Sequence, residues 1–139
     1  MSARTKARKR ALDALYSGEL SKRAASEMLS ESQAEASGRQ NQEAIFDYAE
    51  TIVAGYVGSK ASIDAALVSL SDGWTLERMP ALDRNILRIG AWEILHNPEV
   101  PSEVAIAEAV ALASEYSTDD SPKFINGVLA RLAKSSQAL

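Results

Sequence analysis

Two apolar runs flanking one short acidic turn, between Val100 and Leu132, constrain this chain most. In the first run Val104, Ala107, Val110 and Ala113 recur at helical spacing, with Ile106 and Leu112 alongside. In the second, Phe124, Ile125, Val128, Leu129 and Leu132 do the same. The turn between them, Ser117–Ser121, carries Asp119 and Asp120, and Lys123 follows. The stripes need burial while the charges need water. The pattern therefore predicts two packed helices that present a polar corner. Pro101 and Ser102 open the first, with Ser102 as its cap. Asp120 or Ser121 caps the second, with Pro122 near its first turn.

The rest of the chain has the same character. No run of alternating β-branched residues bounded by turns appears, so the expected fold class is all-α. A helix is predicted over residues 4–18, with Ala7, Ala11, Leu12, Ala14 and Leu15 on one face. A second, over 21–36, has only Ala24, Ala25, Met28 and Leu29 to bury. Ser37–Gln40 reads as a loop and Asn41 as the cap of a third helix, where Ile45, Tyr48, Ala49, Ile52, Val53 and Tyr56 repeat. Gly58-Ser59 ends it, and Ile63, Leu67 and Leu70 mark a fourth. Asp72-Gly73 is a turn, and residues 74–79 form a connector ended by Pro80. Ala81 to His96 is predicted as a central helix, apolar on nearly all sides, with Gly90 admitting a close neighbour and Asn97-Pro98 stopping it. This makes about seven helices. They are expected in one domain over 1–139, with an N-terminal half at 1–72 and a C-terminal half at 73–139.

Hydrophobic residues make up 46% of the chain, enough for a core without covalent staples. There are no cysteines, which excludes a disulfide scaffold, a thiolate zinc site and a cysteine nucleophile. No apolar stretch approaches the ~18 residues of a membrane span, and none follows the basic N-terminus as a secretory signal requires. The expected location is the cytoplasm.

Charge is unevenly placed. Arg4, Lys6, Arg8, Lys9 and Arg10 fall in the first ten residues with no acid among them. The rest of the chain carries the other 10 of the 15 basic side chains and all 19 acidic ones. A cationic end on an acidic body points to a polyanion at that end. The same cations oppose the macrodipole at a helix N-terminus, a local rule broken where binding is expected. Because Arg4 and Arg8 continue the apolar face, this end is predicted to protrude with cations on all sides.

Catalytic motifs are missing. His96 is the sole histidine, and Glu93 precedes it at Glu-x-x-His spacing, but a di-iron bundle needs a second such pair. Residues 55–60 (Gly-Tyr-Val-Gly-Ser-Lys) lack the full spacing of a phosphate loop and follow a helix, not a strand. Asp119-Asp120 suits a helix cap better than acid–base work. No metal, cofactor or catalytic residue is expected. RNA fits better. Basic side chains supply phosphate contacts, and Tyr16, near the basic cluster, and Phe124, beside Lys123 at a helix start, supply planar groups for unpaired bases.

Several segments together resemble the NusB family of bacterial transcription antitermination factors. They are Arg8-Lys-Arg-Ala-Leu-Asp-Ala-Leu-Tyr16, Asp83-Arg-Asn-Ile-Leu-Arg-Ile-Gly-Ala-Trp-Glu93, Val100-Pro101 with Val104-Ala-Ile106, and Asp120-Ser-Pro-Lys-Phe-Ile-Asn-Gly-Val-Leu129. The resemblance implies two three-helix bundles plus an extra helix. It implies binding to boxA RNA of ribosomal RNA leader transcripts, with the ribosomal protein NusE as partner, inside an RNA polymerase complex that resists termination. Carried over residue by residue, the RNA surface comprises Arg4, Lys6, Arg8, Tyr16, Asp120, Ser121, Lys123 and Phe124. The NusE surface comprises Asp83, Arg84 and Glu93.

The chain departs from the family pattern in two places. Ala107 stands where the family has Asn, and Lys6 and Lys9 replace planar guanidiniums with point charges. Two alternatives accompany this reading. One is a protein-binding module, such as a homodimer covering Tyr16 and Phe124. The other is the NusB-like accessory domain of RNA cytosine methyltransferases, which requires a following cofactor domain that these 139 residues do not contain.

Overall fold

The computed structural model describes residues 1–137. Among them the chain forms seven α-helices: α1 (Ala3–Ser21), α2 (Ala25–Glu35), α3 (Gln42–Gly58), α4 (Lys60–Ser69), α5 (Ala81–His96), α6 (Ser102–Tyr116) and α7 (Ser121–Gln137). A 3₁₀ turn, Leu76–Arg78, stands before α5. The described residues contain no strand, and no helix is long and apolar enough to cross a membrane. The chain divides into two compact units, Met1–Val57 and a second beginning at Gly58. Helix α4 packs on α5 and belongs to the second unit.

In the first unit, Ser2 caps α1 by accepting the Thr5 N–H at Oγ, 3.0 Å away. The helix ends at Lys22, whose left-handed backbone (φ 57) lets the Arg23 N–H reach the Gly18 carbonyl at 3.0 Å. That return also brings α2 against Gly18, where an added Cβ meets the Arg23 carbonyl oxygen at 2.8 Å. Ala7, Ala11, Leu12 and Leu15 of α1 are buried, as are Ile45, Phe46, Ala49, Ile52, Val53 and Tyr56 of α3. Helix α2 contributes Leu29 and little else. Asn41 is in a left-handed conformation (φ 61), so it does not have the extended backbone of the expected cap.

In the second unit, α5 runs over its expected span and is surrounded by α4, α6 and α7. Gly90 is the point of closest approach: a Cβ there falls 2.6 Å from Leu129 Cδ1 of α7 and 3.5 Å from Ala109 Cβ of α6. Arg88 of α5 grips Asp64 of α4 with two parallel hydrogen bonds of 3.1 Å, a bidentate arrangement stronger than a single contact. Arg131 of α7 donates to the Leu70 carbonyl at the end of α4 from Nε (3.1 Å) and Nη2 (2.7 Å).

Helix α6 presents a different face from the expected one. Ala105, Ala109, Leu112 and Ala113 are buried, while Val104 and Ala107 are exposed. From Val104 to Ala113 every position but Glu108 is apolar, so periodicity does not select a face. The steric fit of Ala109 against Gly90 does. Ser102 is the first helical residue and not the cap, a position held by Pro101.

Candidate nucleic-acid interface

The cationic end of α1 rests on two aromatic rings of α3. The Arg4 guanidinium lies over Tyr48, 4.8 Å from the ring centroid, and Arg8 lies over the same ring at 5.8 Å. Arg10 lies over Phe46 at 5.2 Å and donates from Nη1 to Ser32 Oγ at 3.2 Å. Lys6 is exposed, and Arg4, Lys9 and Tyr16 are half-buried. Arg8 is only 3% exposed. An end with cations on all sides is therefore not what forms. Arg4 and Arg8 share the stripe of Ala7 and Ala11, and an aromatic face can shelter a guanidinium that bare hydrocarbon cannot. Of the expected contacts on α1, Arg8 has almost no surface to offer.

The second group of residues surrounds the α6–α7 corner. The Asp120 carbonyl accepts the Phe124 N–H at 3.3 Å and so starts α7. Asp120 and Lys123 are exposed and Phe124 is half-buried, as a polar corner requires. Ser121 is 2% exposed and turns inward. Its hydroxyl donates to Asp83 Oδ2 at 2.9 Å, and the Ser117 hydroxyl donates to Asp83 Oδ1. A hydroxyl has one proton, so the 2.8 Å contact between Thr118 and Ser121 has Thr118 as donor. Ser121 thereby locks the corner to the start of α5.

Burial also changes the reading of the proposed partner surface. Asp83 is 4% exposed and Glu93 1%. Asp83 is used inside the corner, and Glu93 lies on the enclosed side of a helix covered by three others. Arg84 is half-buried and donates from Nη1 to the Met79 carbonyl at 3.0 Å, closing the 3₁₀ turn.

An open pocket of ≈ 250 Å³ adjoins the corner, with Trp74, Met79, Pro80 and Phe124 among its walls. Trp74 is 51% exposed at its edge. The sequence reading assigned Trp74 only to a connector, although an aromatic between a Gly turn and a Pro stop has no helical stripe to join. Tyr48 and Phe46 were missed as supports for the arginines. The i, i+4 spacing of Arg4 and Arg8 was the available signal, because it puts both on one face that needs a partner. Among the described residues, no group of three His, Cys, Asp or Glu is placed to hold a metal ion.

Residues 5–134 match the model of the NusB family. The transcription antitermination protein NusB of Nocardioides sp. is 47% identical over 139 residues, covering 100% of this chain and 99% of that protein. That of Arthrobacter sp. is 50% identical over 140 residues, covering 100% and 98%. The structure of T. maritima NusB superposes with a TM-score of 0.85 at 30% identity, covering 94% of this chain and 90% of that one. A crystal structure of the antitermination factors NusB and NusE in complex with double-stranded RNA gives a TM-score of 0.85 at 25% identity, covering 97% and 98%. With a family match along nearly its whole length, and relatives and folds that agree, this chain belongs to the NusB family.

Proposed function

We propose that this protein is a non-catalytic transcription antitermination factor. It binds boxA-type single-stranded RNA of ribosomal RNA leader transcripts, pairs with the ribosomal protein NusE, and joins an RNA polymerase complex in the cytoplasm. Full-length similarity to transcription antitermination proteins carries this reading. The solved complex of a relative with NusE and double-stranded RNA supports NusE and RNA as partner classes.

The accessible residues divide the work by chemistry. Arg4 offers a planar fork to phosphate, and Lys6 and Lys123 offer point charges. Tyr16 and Phe124 offer half-buried faces for unpaired bases, and Asp120 stands at the same rim as Lys123. Arg8 and Ser121 act from inside, by holding α1 and α7 in place. The NusE contact is assigned to the accessible surface around Arg84, which Asp83 and Glu93 support from within. Co-elution tests this reading: the chain, NusE and labelled boxA RNA should migrate as one species, with RNA affinity raised by NusE. Separate migration, and RNA affinity indifferent to NusE, would contradict it.

A further inference from the structure

We infer that Tyr48 is a positioning residue of the RNA-binding end: its ring holds the Arg4 guanidinium in place for phosphate, with Arg8 as the buried strut on the same ring. This inference rests on the RNA-binding reading above and deepens it. Nothing in the pattern of basic residues points to α3, since Tyr48 reads as part of that helix's apolar stripe.

The geometry separates two arginines that look alike in sequence. Both have their guanidinium over one ring, at 4.8 Å and 5.8 Å. Arg4, in the first turn of α1, keeps accessible surface, whereas Arg8, one turn further on, keeps 3%. A guanidinium stacked on a ring engages its face, and its N–H donors lie in its plane. The ring therefore restricts the long side chain through its face, beside the other interactions that Arg4 makes. Restricting it beforehand removes part of the entropy cost of ordering it on binding. Arg8, almost fully buried, lies over the same ring at 5.8 Å and packs against it. Phe46 extends the arrangement by carrying Arg10 at 5.2 Å, so the aromatic edge of α3 runs beneath three arginines of α1.

Preorganisation and charge leave different marks on a salt titration. Deleting a phosphate contact lowers the slope of log affinity against log salt by roughly 0.7 for a single strand. Releasing an arginine that is still present weakens binding at every salt concentration and leaves the slope alone. The experiment is binding of a labelled boxA-like single-stranded RNA to the full chain across a salt series, with a thermal melt of each variant. Tyr48→Leu should bind about three- to tenfold more weakly with the slope unchanged. Tyr48→Phe, which keeps the ring, should bind like the parent. Arg4→Gln should lose the slope increment as well.

Tyr48→Met removes the ring from a half-buried position and keeps a long apolar side chain, so it carries the test even if Tyr48→Leu does not fold. It should reproduce the loss at constant slope. Parent-like binding by Tyr48→Leu or Tyr48→Met, alongside weakened Arg4→Gln, overturns the role of Tyr48 and spares the RNA reading. Equal weakening in Tyr48→Phe and Tyr48→Leu assigns the effect to the hydroxyl and also overturns it. RNA that the parent chain itself does not bind overturns both.

Discussion

Ser121 and Asp83, 38 positions apart, are joined by a hydrogen bond of 2.9 Å between Oγ and Oδ2. With Ser117 on the other carboxylate oxygen, this ties the first turn of α5 to the start of α7. The carboxylate is 4% exposed, so its bonds are made with little competition from water. Phe124 and Lys123 lie within one turn of Ser121, and their placement depends on that tie.

Removing the tie should cost stability. Asp83→Ala leaves two inward hydroxyls short of their acceptor and should lower the unfolding free energy by about 2–4 kcal/mol, while Ser121→Ala should cost about 1–2 kcal/mol. Urea denaturation of the two single variants and the double variant measures this. The account expects a coupling of about 1 kcal/mol. Strict additivity would show that the two residues act independently.

Gly90 makes a second quantitative demand. Ala at this position places Cβ 2.6 Å from Leu129 Cδ1 in a fully buried contact. Gly90→Ala should destabilise the fold by about 1–3 kcal/mol, despite the better helix propensity of Ala. Leu129→Val makes room at the contact, so the double variant should recover part of the loss. A Gly90→Ala chain more stable than the parent would mean that α5, α6 and α7 do not meet as described.

The basic residues of α1 should separate by burial. Lys6→Glu changes an exposed charge and should alter stability by no more than ~0.5 kcal/mol, as is typical of surface substitutions, while weakening RNA binding. Arg8→Glu places a carboxylate at a site 3% exposed, over the electron-rich face of Tyr48. It should cost about 3–5 kcal/mol of stability. Circular dichroism melts of both variants make the comparison. Equal, small effects would show Arg8 to be a surface residue after all.

These contrasts mark where the sequence was legible. Helix α5 could be read to its ends because Pro80 and Asn97-Pro98 punctuate it and its apolar content leaves no alternative. The face of α6 could not be read, since Val104, Ala105, Ile106 and Ala107 are all apolar and only contact with Gly90 and α7 decides among them. The N-terminal cations were legible as a group, but their individual burial was not, because it depends on an aromatic ring some 40 positions away. The corner residues were legible as a cluster. The inward turn of Ser121 was not, since a Ser at a helix start reads as a cap whatever carboxylate lies behind it.

The proposed function rests on binding of boxA-type RNA by accessible cations on α1 and at the start of α7. Anisotropy of a labelled boxA RNA, titrated at several salt concentrations with the parent chain and with an Arg4→Glu, Lys6→Glu, Lys123→Glu variant, tests it most directly. Parent binding should weaken with salt at a slope of roughly −2 to −3, as about three or four phosphate contacts require. The folded variant should show little binding. Parent binding that ignores salt, or a folded variant that binds as tightly as the parent, would contradict it.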